Sequence, residues 1–377
     1  MKNKERNSNY ELMRIVSMFM IVLYHFLVHG HVLKNTTGVL NILVNALTII
    51  TVVHVNSFIL VTGYFQCRSN FKMSKLIKLN NMAWFYKAAI AILLCIFSLI
   101  SLTKVDLIRF LLPIHYDTYW YIGLFMMLYC ISPILNKIIE NVNKKEFRRI
   151  IISLFVILSL LPSISLQMTF NNHRGFSLGN FILLYFIGAY LRNYPVKNSY
   201  LFKKLSKQAR SLIFLVAFFA LAFINLLLFV FESHLIGLGG VISYIGSVLE
   251  NIIYAYDSPI VILQAICFFL WFGNLEIKSK FINFIASLTL GIYLIHDNYL
   301  LHDIMYPKLG LRNGELITSV SIFGKILLCS LAVFVICSII EFIRLVIFKF
   351  IYKRKISTKI RHKYRNYVES LGIDIRW

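Results

Sequence analysis

Two basic residues of the first apolar segment, Arg14 and His25, have types and a spacing that suit acid–base chemistry inside a membrane. They are eleven positions apart. On an α-helix this is about 16 Å along the axis and close to three full turns, so both side chains point to nearly the same face. An ionisable residue within an apolar span is expensive to bury and is therefore a functional-site candidate. A histidine that water reaches can act as a general base. The alternative to a catalytic role is a structural one, in which Arg14 extends to the membrane surface and His25 hydrogen-bonds a neighbouring helix.

The second apolar segment ends in HVNSFILVTGYFQCR and is unusually polar for a membrane span. It contains His54, Asn56 and Thr62, followed by Gly63, which allows another backbone to approach closely. This pattern indicates a helix face that lines a cavity. Hydrogen bonds between helices explain it almost equally well.

The connection that follows is basic. Lys75 and Lys78 are three residues apart on one predicted helix face, and Arg68 lies nearby in the sequence. Such a cluster suits the phosphates of a cytosolic donor molecule. Basic inner loops are also common to membrane proteins in general, so this signal is weak by itself.

Two later segments carry aromatic and histidine side chains. YWYIGLFMMLYCISPILN begins with Trp120 in an aromatic run that is typical of an interface anchor. In TLGIYLIHDNYL, Tyr293 and His296 share a helix face and Asp297 follows, near the predicted extracellular end. We expect the remaining outer histidines to be solvent-exposed; they are His29, His31, His115 and His302.

The elements that must position these residues are membrane helices. The chain is 59% hydrophobic and only 15% charged, with a mean hydropathy of +0.74, whereas about a quarter of a soluble chain is charged. Its apolar stretches have the roughly 20 residues that cross a bilayer, and backbone groups in lipid must pair within a helix. We therefore predict an all-α integral membrane protein with about ten transmembrane helices. They lie near residues 12–33, 45–66, 82–103, 119–139, 148–167, 179–194, 210–232, 255–273, 281–299 and 319–348.

Lysine and arginine residues predict the orientation. With the N-terminus in the cytosol, the basic clusters fall in inner loops and in the C-terminal tail, so both termini are expected inside. The exceptions in outer loops are Lys34, Lys104, Arg109, Arg174, Lys308 and Arg312. The net charge of +23 is thus spread over short loops, which favours contact with anionic lipid over nucleic-acid binding.

The domain organisation is simple. We expect one polytopic membrane domain over residues 1–348, a basic cytosolic tail over 349–377, and no soluble domain. The glycine-rich stretch 233–254 is either a re-entrant or a surface helix. The six cysteines occur singly, without the spacing of a metal site, and no metal is expected.

Taken in order, these motifs resemble the acyltransferase-3 family of bacterial membrane O-acyltransferases, which modify cell-surface polysaccharides. The resemblance covers most of residues 10–300. It depends on Arg14 and His25, and on the segments VNSFILVTGYF, YWYIGLFMMLYCISPILN, LLYFIGAYLR and GIYLIHDN. It implies transfer of an acyl group, usually acetyl from acetyl-CoA, to a hydroxyl of a surface polysaccharide or its lipid-linked precursor. It also implies a multi-pass protein of the bacterial cytoplasmic membrane.

The resemblance also suggests roles for individual residues. Arg14 would hold the acyl-CoA donor, and His25 would be the general base or the acyl-handling group. Other residues expected at the donor are Thr62, Gly63, Arg68, Lys75 and Lys78. Residues expected at the acceptor are Asn56, Trp120, Tyr293 and His296. Direct transfer and an acyl-enzyme route both remain open. The alternative function is a transporter or flippase for polysaccharide precursors, which polytopic helices with buried polar groups fit equally well.

Overall fold

The computed structural model describes residues 6–101, 103, 119–165, 172–235 and 240–353, and nearly all of this part is helical. The helices are α1 (Ser8–Val28), α2 (Gly38–Thr51), α3 (His54–Gln66), α4 (Met73–Ile96), α5 (Trp120–Asn141), α6 (Lys144–Phe155), α7 (Leu178–Asn193), α8 (Lys207–Leu235), α9 (Gly240–Tyr254), α10 (Pro259–Gly273), α11 (Lys280–His296), α12 (Tyr299–Lys308) and α13 (Ile322–Lys353). A π-helical turn, Val156–Leu160, and a short helix, Leu161–Ile164, extend α6. An isolated bridge joins Thr36 and Ile317.

Membrane-length helices confirm the predicted fold class. Within the described ranges, eight segments are long and apolar enough to cross a membrane. The pair α11 and α12, bent by 81° at its break, adds a ninth. The remaining predicted position is occupied by α7, which has 16 residues. Helices therefore lie at every predicted span, while the cytosolic placement of both termini stays a prediction.

Some predictions fall on residues that the structure does not describe. They concern Lys104, Arg109 and His115 and most of the tail at 349–377. Of the stretch 233–254, the described part is helical, because α8 ends at Leu235 and α9 occupies Gly240–Tyr254. The second half of α9 belongs with α10 to one apolar segment of membrane length, Ile245–Gly273.

The first helix lies inside the bundle. α1 packs against α2, α3, α10, α11 and α13, so it has neighbours on several sides. Met13, Val22 and Leu27 are fully buried in these contacts. At its N-terminus the Asn7 side chain accepts a hydrogen bond from the backbone N–H of Asn9, which caps the helix. The polar residues of α1 therefore face protein or a cavity rather than lipid alone.

Glycines allow α3 and α7 to touch. A methyl group at Gly63 would collide with the backbone of Tyr185, and one at Gly188 would collide with the backbone of Leu60. Within lipid no hydrophobic effect drives helices together, so their association depends on close van der Waals packing of this kind. The contact fixes the position of α3 relative to α7. It thereby also fixes the positions of the polar residues of α3 that face the interior.

A buried ion pair attaches α13 to the bundle. Glu341 and Arg344 share two hydrogen bonds of 2.7 Å, and their side chains are 2% and 4% exposed. Tyr86 of α4 donates a hydrogen bond to Glu341. Gly291 of α11 leaves the space for this carboxylate, since a Cβ there would lie 2.6 Å from Oε2 of Glu341. The pair satisfies both charges inside an apolar region.

Candidate active site

One cavity contains both residues of the first-helix pair. It has a volume of about 1020 Å³, and Arg14 and His25 both line it. The prediction that they share a helix face is therefore confirmed. The cavity extends along α1 for the distance between them, about 16 Å by helix rise. Its volume is at the upper end of the range of about 300–1,000 Å³ for small-molecule sites.

Cationic and polar side chains surround the Arg14 end. Nη1 of Arg14 lies 3.1 Å from Oε2 of Glu11, and the Arg14 side chain is 32% exposed. Thr62 and Gln66 of α3 and Lys75 of α4 line the same cavity. The hydroxyl of Thr62 donates to the carbonyl oxygen of Phe58 at 2.9 Å, which leaves its lone pairs available. This end can therefore hold an anionic group by charge and by hydrogen bonds.

Three predicted donor residues lie elsewhere. Arg68 donates to Oδ1 of Asn193 at 2.9 Å and is not part of the cavity wall. Lys78 is also outside the wall. Gly63 is packed against the backbone of Tyr185, so helix packing explains the requirement for glycine there. The structure thus brings Arg14, Thr62 and Lys75 together and separates the other three from them.

At the opposite end of the cavity, His25 faces a carboxylate. Its Nδ1 lies 3.3 Å from Oδ1 of Asp297, and the two side chains are 12% and 10% exposed. The same carboxylate oxygen lies 3.6 Å from Nε2 of His302. Nδ1 of His25 and this oxygen are close but do not meet the geometry of a hydrogen bond. A carboxylate beside Nδ1 still favours by its charge the tautomer with the proton on Nδ1, whose Nε2 lone pair can accept a proton.

The break between α11 and α12 positions Asp297. The Asn298 side chain accepts a hydrogen bond from the backbone N–H of Leu300 and so caps α12. Its amide donates to the Tyr119 hydroxyl at 3.1 Å. Tyr119 in turn donates to the carbonyl oxygen of Leu294 at 2.7 Å. Side chains from two parts of the chain therefore fix the bend that directs Asp297 towards α1.

The prediction of solvent exposure is wrong for His29 and His302. Both are half-buried, because the 81° bend directs α12 back towards α1 and brings His302 against His29. The rings of His29 and His302 stack with centroids 4.9 Å apart, and the His29 ring lies 4.8 Å from that of His25. His31 is half-buried as well. The end of the cavity opposite Arg14 is thus a histidine cluster.

Aromatic side chains form the wall near His25. Trp120 packs against Phe176 and Tyr256, with ring centroids 4.5 Å and 6.1 Å away. Tyr256 is tied to His54, whose Nε2 lies 3.2 Å from the tyrosine hydroxyl oxygen. All four residues line the cavity. This wall presents broad apolar ring faces with few polar groups between them.

The other predicted acceptor residues differ in their positions. Tyr293 lines the cavity. Asn56 is fully buried outside the wall and donates to the carbonyl oxygen of Tyr256 at 2.7 Å, so it positions an aromatic residue of the wall. His296 is also buried, with Nδ1 2.7 Å from the carbonyl oxygen of Ile292, and its ring centroid is 5.1 Å from that of His25.

Sequence reasoning missed the parts of this site that depend on distant contacts. Asp297 follows His296 in the sequence, and its approach to His25 requires the bend after α11. His54 of α3 contacts Tyr256, which lies in the turn between α9 and α10. The available signal was the ionisable residues themselves, because intramembrane Asp and His side chains are expensive to bury.

Comparison with known proteins identifies a family to which the chain is similar. A family model described as an acyltransferase domain, Acyl_transf_3, matches residues 7–341. The matched range contains the histidine cluster and every residue of the cavity wall except Arg6. No curated protein and no solved structure matches the chain.

Proposed function

The chain belongs to the acyltransferase-3 family, and on that premise we propose that it is a membrane O-acyltransferase with a cytosolic acyl-CoA donor. We propose acetyl as the acyl group. It moves to a hydroxyl of a cell-surface polysaccharide or of its lipid-linked precursor. The observation that carries the proposal is the single cavity lined by Arg14 and Lys75 and by His25 and Asp297.

The donor binds at the Arg14 end in this account. Acyl-CoA carries several phosphates, and guanidinium and ammonium groups are the side chains that bind phosphate most strongly. Arg14 and Lys75 supply these charges on the cavity wall. Since the basic loops indicate that α1 begins on the cytosolic side, the phosphates stay near the cytosol while the thioester extends towards His25.

Transfer takes place at His25. With its proton on Nδ1 facing Asp297, His25 accepts the proton of the sugar hydroxyl at Nε2. The hydroxyl oxygen forms a bond to the thioester carbonyl carbon. Collapse of the tetrahedral intermediate breaks the carbon–sulfur bond, and the CoA thiolate takes the proton from His25. A thioester needs mainly proximity and proton removal for this reaction, and both are supplied by the cavity.

The acceptor packs on the aromatic wall. Sugar rings have apolar C–H faces that match the faces of Trp120, Phe176 and Tyr256. Tyr293, which lines the same cavity, supplies a hydroxyl beside this wall. The arrangement brings an acceptor hydroxyl to His25 from the side opposite Arg14, so donor and acceptor enter from different membrane faces.

Reconstitution tests the proposal. The purified chain is placed in liposomes with acetyl-CoA labelled in its acetyl group and with polysaccharide prepared from a host strain that lacks the protein. We expect release of free CoA thiol that depends on the polysaccharide, together with label in the polysaccharide. His25→Gln should abolish both, whereas His234→Gln, a change at an exposed histidine of α8, should not. Movement of unlabelled polysaccharide precursor across the liposome membrane without thiol release would support the transporter alternative instead.

A further inference from the structure

Three potential metal ligands meet at the outer end of the cavity. One ligand atom each from His25, Asp297 and His302 lies within 4.8 Å of the other two. The residues come from α1, from the break after α11 and from α12. Sequence spacing cannot reveal such a site because His25 is far along the chain from Asp297 and His302.

The distances fit a metal ion. A tetrahedral Zn²⁺ with ligands at about 2.0–2.1 Å keeps its ligand atoms about 3.3–3.4 Å apart. Oδ1 of Asp297 lies 3.3 Å from Nδ1 of His25 and 3.6 Å from Nε2 of His302. Two of the three edges of a ligand triangle thus have nearly the required length. The third edge, between the two imidazoles, is no longer than 4.8 Å.

The polar atoms converge without satisfying one another. Nδ1 of His25 and Nε2 of His302 have no hydrogen-bond partner among the described residues. Nε2 of His296, on a side chain only 2% exposed, also has none there. Buried polar atoms normally have partners, so this cluster indicates a ligand that the protein atoms alone do not supply.

Charge favours a cation at this point. Within the described part of the chain, the ion-pair contacts of Asp297 are made with His25 and His302, which carry charge only when protonated. Two neutral imidazoles and one carboxylate are a ligand set that binds Zn²⁺ and related transition-metal ions. A fourth position is available to water or to His29, whose ring lies 4.8 Å and 4.9 Å from those of His25 and His302.

We propose that His25, Asp297 and His302 form a binding site for one Zn²⁺ ion and that the bound metal inhibits acyl transfer. This departs from the sequence-based prediction of no metal, although the reaction itself still requires none. The inhibitory part depends on the proposed function, while the binding part does not.

The inhibition follows from the tautomers of imidazole. When Zn²⁺ occupies Nδ1 of His25, the imidazole proton resides on Nε2. The lone pair that accepts the hydroxyl proton is then absent, and Asp297 is occupied by the metal as well. Catalysis and metal binding therefore exclude each other. His29 and His302 line the cavity, and the predicted topology places this end on the extracellular side. Extracellular Zn²⁺ therefore reaches the site without crossing the membrane.

Metal binding is measured on the full chain, purified in detergent with an affinity tag that contains no histidine. Zn²⁺ is titrated against a chromogenic chelator, and X-ray absorption at the zinc edge counts imidazole ligands. We expect one Zn²⁺ per wild-type chain with two or three imidazole ligands. In His302→Gln the affinity should fall at least about ten-fold, since loss of a partner of a ligand alone costs 10–100-fold. His234→Gln serves as the matched control and should bind as wild type does.

Measurements of acyl transfer distinguish the proposed Zn²⁺ site from the proposed acyltransferase function. Zn²⁺ should inhibit acyl transfer by wild type, and a chelator should restore it. The rate that His302→Gln has without metal, whatever its size, should not fall when Zn²⁺ is added. If wild type binds no Zn²⁺, or if His302→Gln binds it unchanged, the metal site is refuted whatever the activity. If Zn²⁺ binds as described but no chain transfers an acyl group, the site stands and the proposed function fails. Retention of the monodisperse chromatographic peak shows that each variant is folded.

Discussion

Oδ1 of Asp297 lies 3.3 Å from Nδ1 of His25, which joins the end of α11 to the last turn of α1. The contact is made inside the bundle, at the opposite end of the cavity from Arg14. It places a carboxylate beside Nδ1, which favours the tautomer of a general-base histidine with its proton on that nitrogen.

Asp297→Asn should lower kcat for acyl transfer by about 10²–10⁴-fold, because the amide no longer favours the productive tautomer of His25. The KM for acyl-CoA should change little, since the donor phosphates bind far from this residue. Initial rates of CoA thiol release at varied donor concentration give both constants. Asp303→Asn is the control, as that side chain is 76% exposed and pairs with Arg312. Equal effects of the two changes would contradict the role of Asp297.

Arg14→Ala should raise the KM for acyl-CoA by roughly 10–100-fold, the effect of losing one charged hydrogen bond of about 1.5–3 kcal/mol. Its effect on kcat should be smaller, because Arg14 is remote from the transfer step. The matched change is Arg68→Ala, which removes a guanidinium that lies outside the cavity and binds Asn193. A larger KM effect from Arg68 than from Arg14 would assign the donor to another surface.

Trp120→Ala should weaken acceptor binding and leave donor binding intact. The residue packs on Phe176 and Tyr256 in the wall proposed for the sugar ring. We expect the KM for the acceptor to rise by about 5–30-fold, the scale of losing a buried aromatic contact of about 1–2 kcal/mol. Calorimetric titration with CoA should give the wild-type dissociation constant. Trp84→Ala, at a side chain that is 47% exposed on α4, should alter neither constant.

Gly63→Ala should destabilise the protein because its methyl group collides with the backbone of Tyr185. Overpacking of this kind costs about 1–3 kcal/mol, and the loss should appear as a lower thermal unfolding midpoint in detergent. Gly324→Ala is the matched control, since a Cβ at this helical glycine has no neighbour within 4 Å. Unchanged stability with a selective rise in donor KM would instead place Gly63 at the donor, as the sequence suggested.

The sequence predicts local features of this site well and distant ones poorly. Arg14 and His25 lie on one helix, so the 3.6-residue period alone predicts their shared face. Their contact partners depend on how separate helices pack, as with Asp297 behind the 81° bend between α11 and α12. The same limit explains His302, which looks like an outer-loop residue until α12 turns back over the cavity.

Gly63 and Asn56 illustrate a second limit. A glycine and an amide in a membrane helix indicate close approach or hydrogen bonding, but not whether the partner is a ligand or another helix. In the structure Gly63 meets Tyr185 and Asn56 binds the backbone of Tyr256. Both residues therefore contact other parts of the protein and hold the cavity wall in place. The positions of the helices were predictable because the thickness of the bilayer sets the length of a span.

The most direct test of the account is the O-acetyl content of the host's surface polysaccharide, measured by proton NMR. Wild type is compared with a deletion strain and with the deletion complemented by His25→Ala or by His234→Ala at matched membrane levels. We predict that the acetyl resonances disappear on deletion, return with His234→Ala and do not return with His25→Ala. Full acetylation with His25→Ala would contradict the central role of His25. A polysaccharide that keeps its acetyl groups in the deletion strain but changes in amount would contradict the acyltransferase function itself.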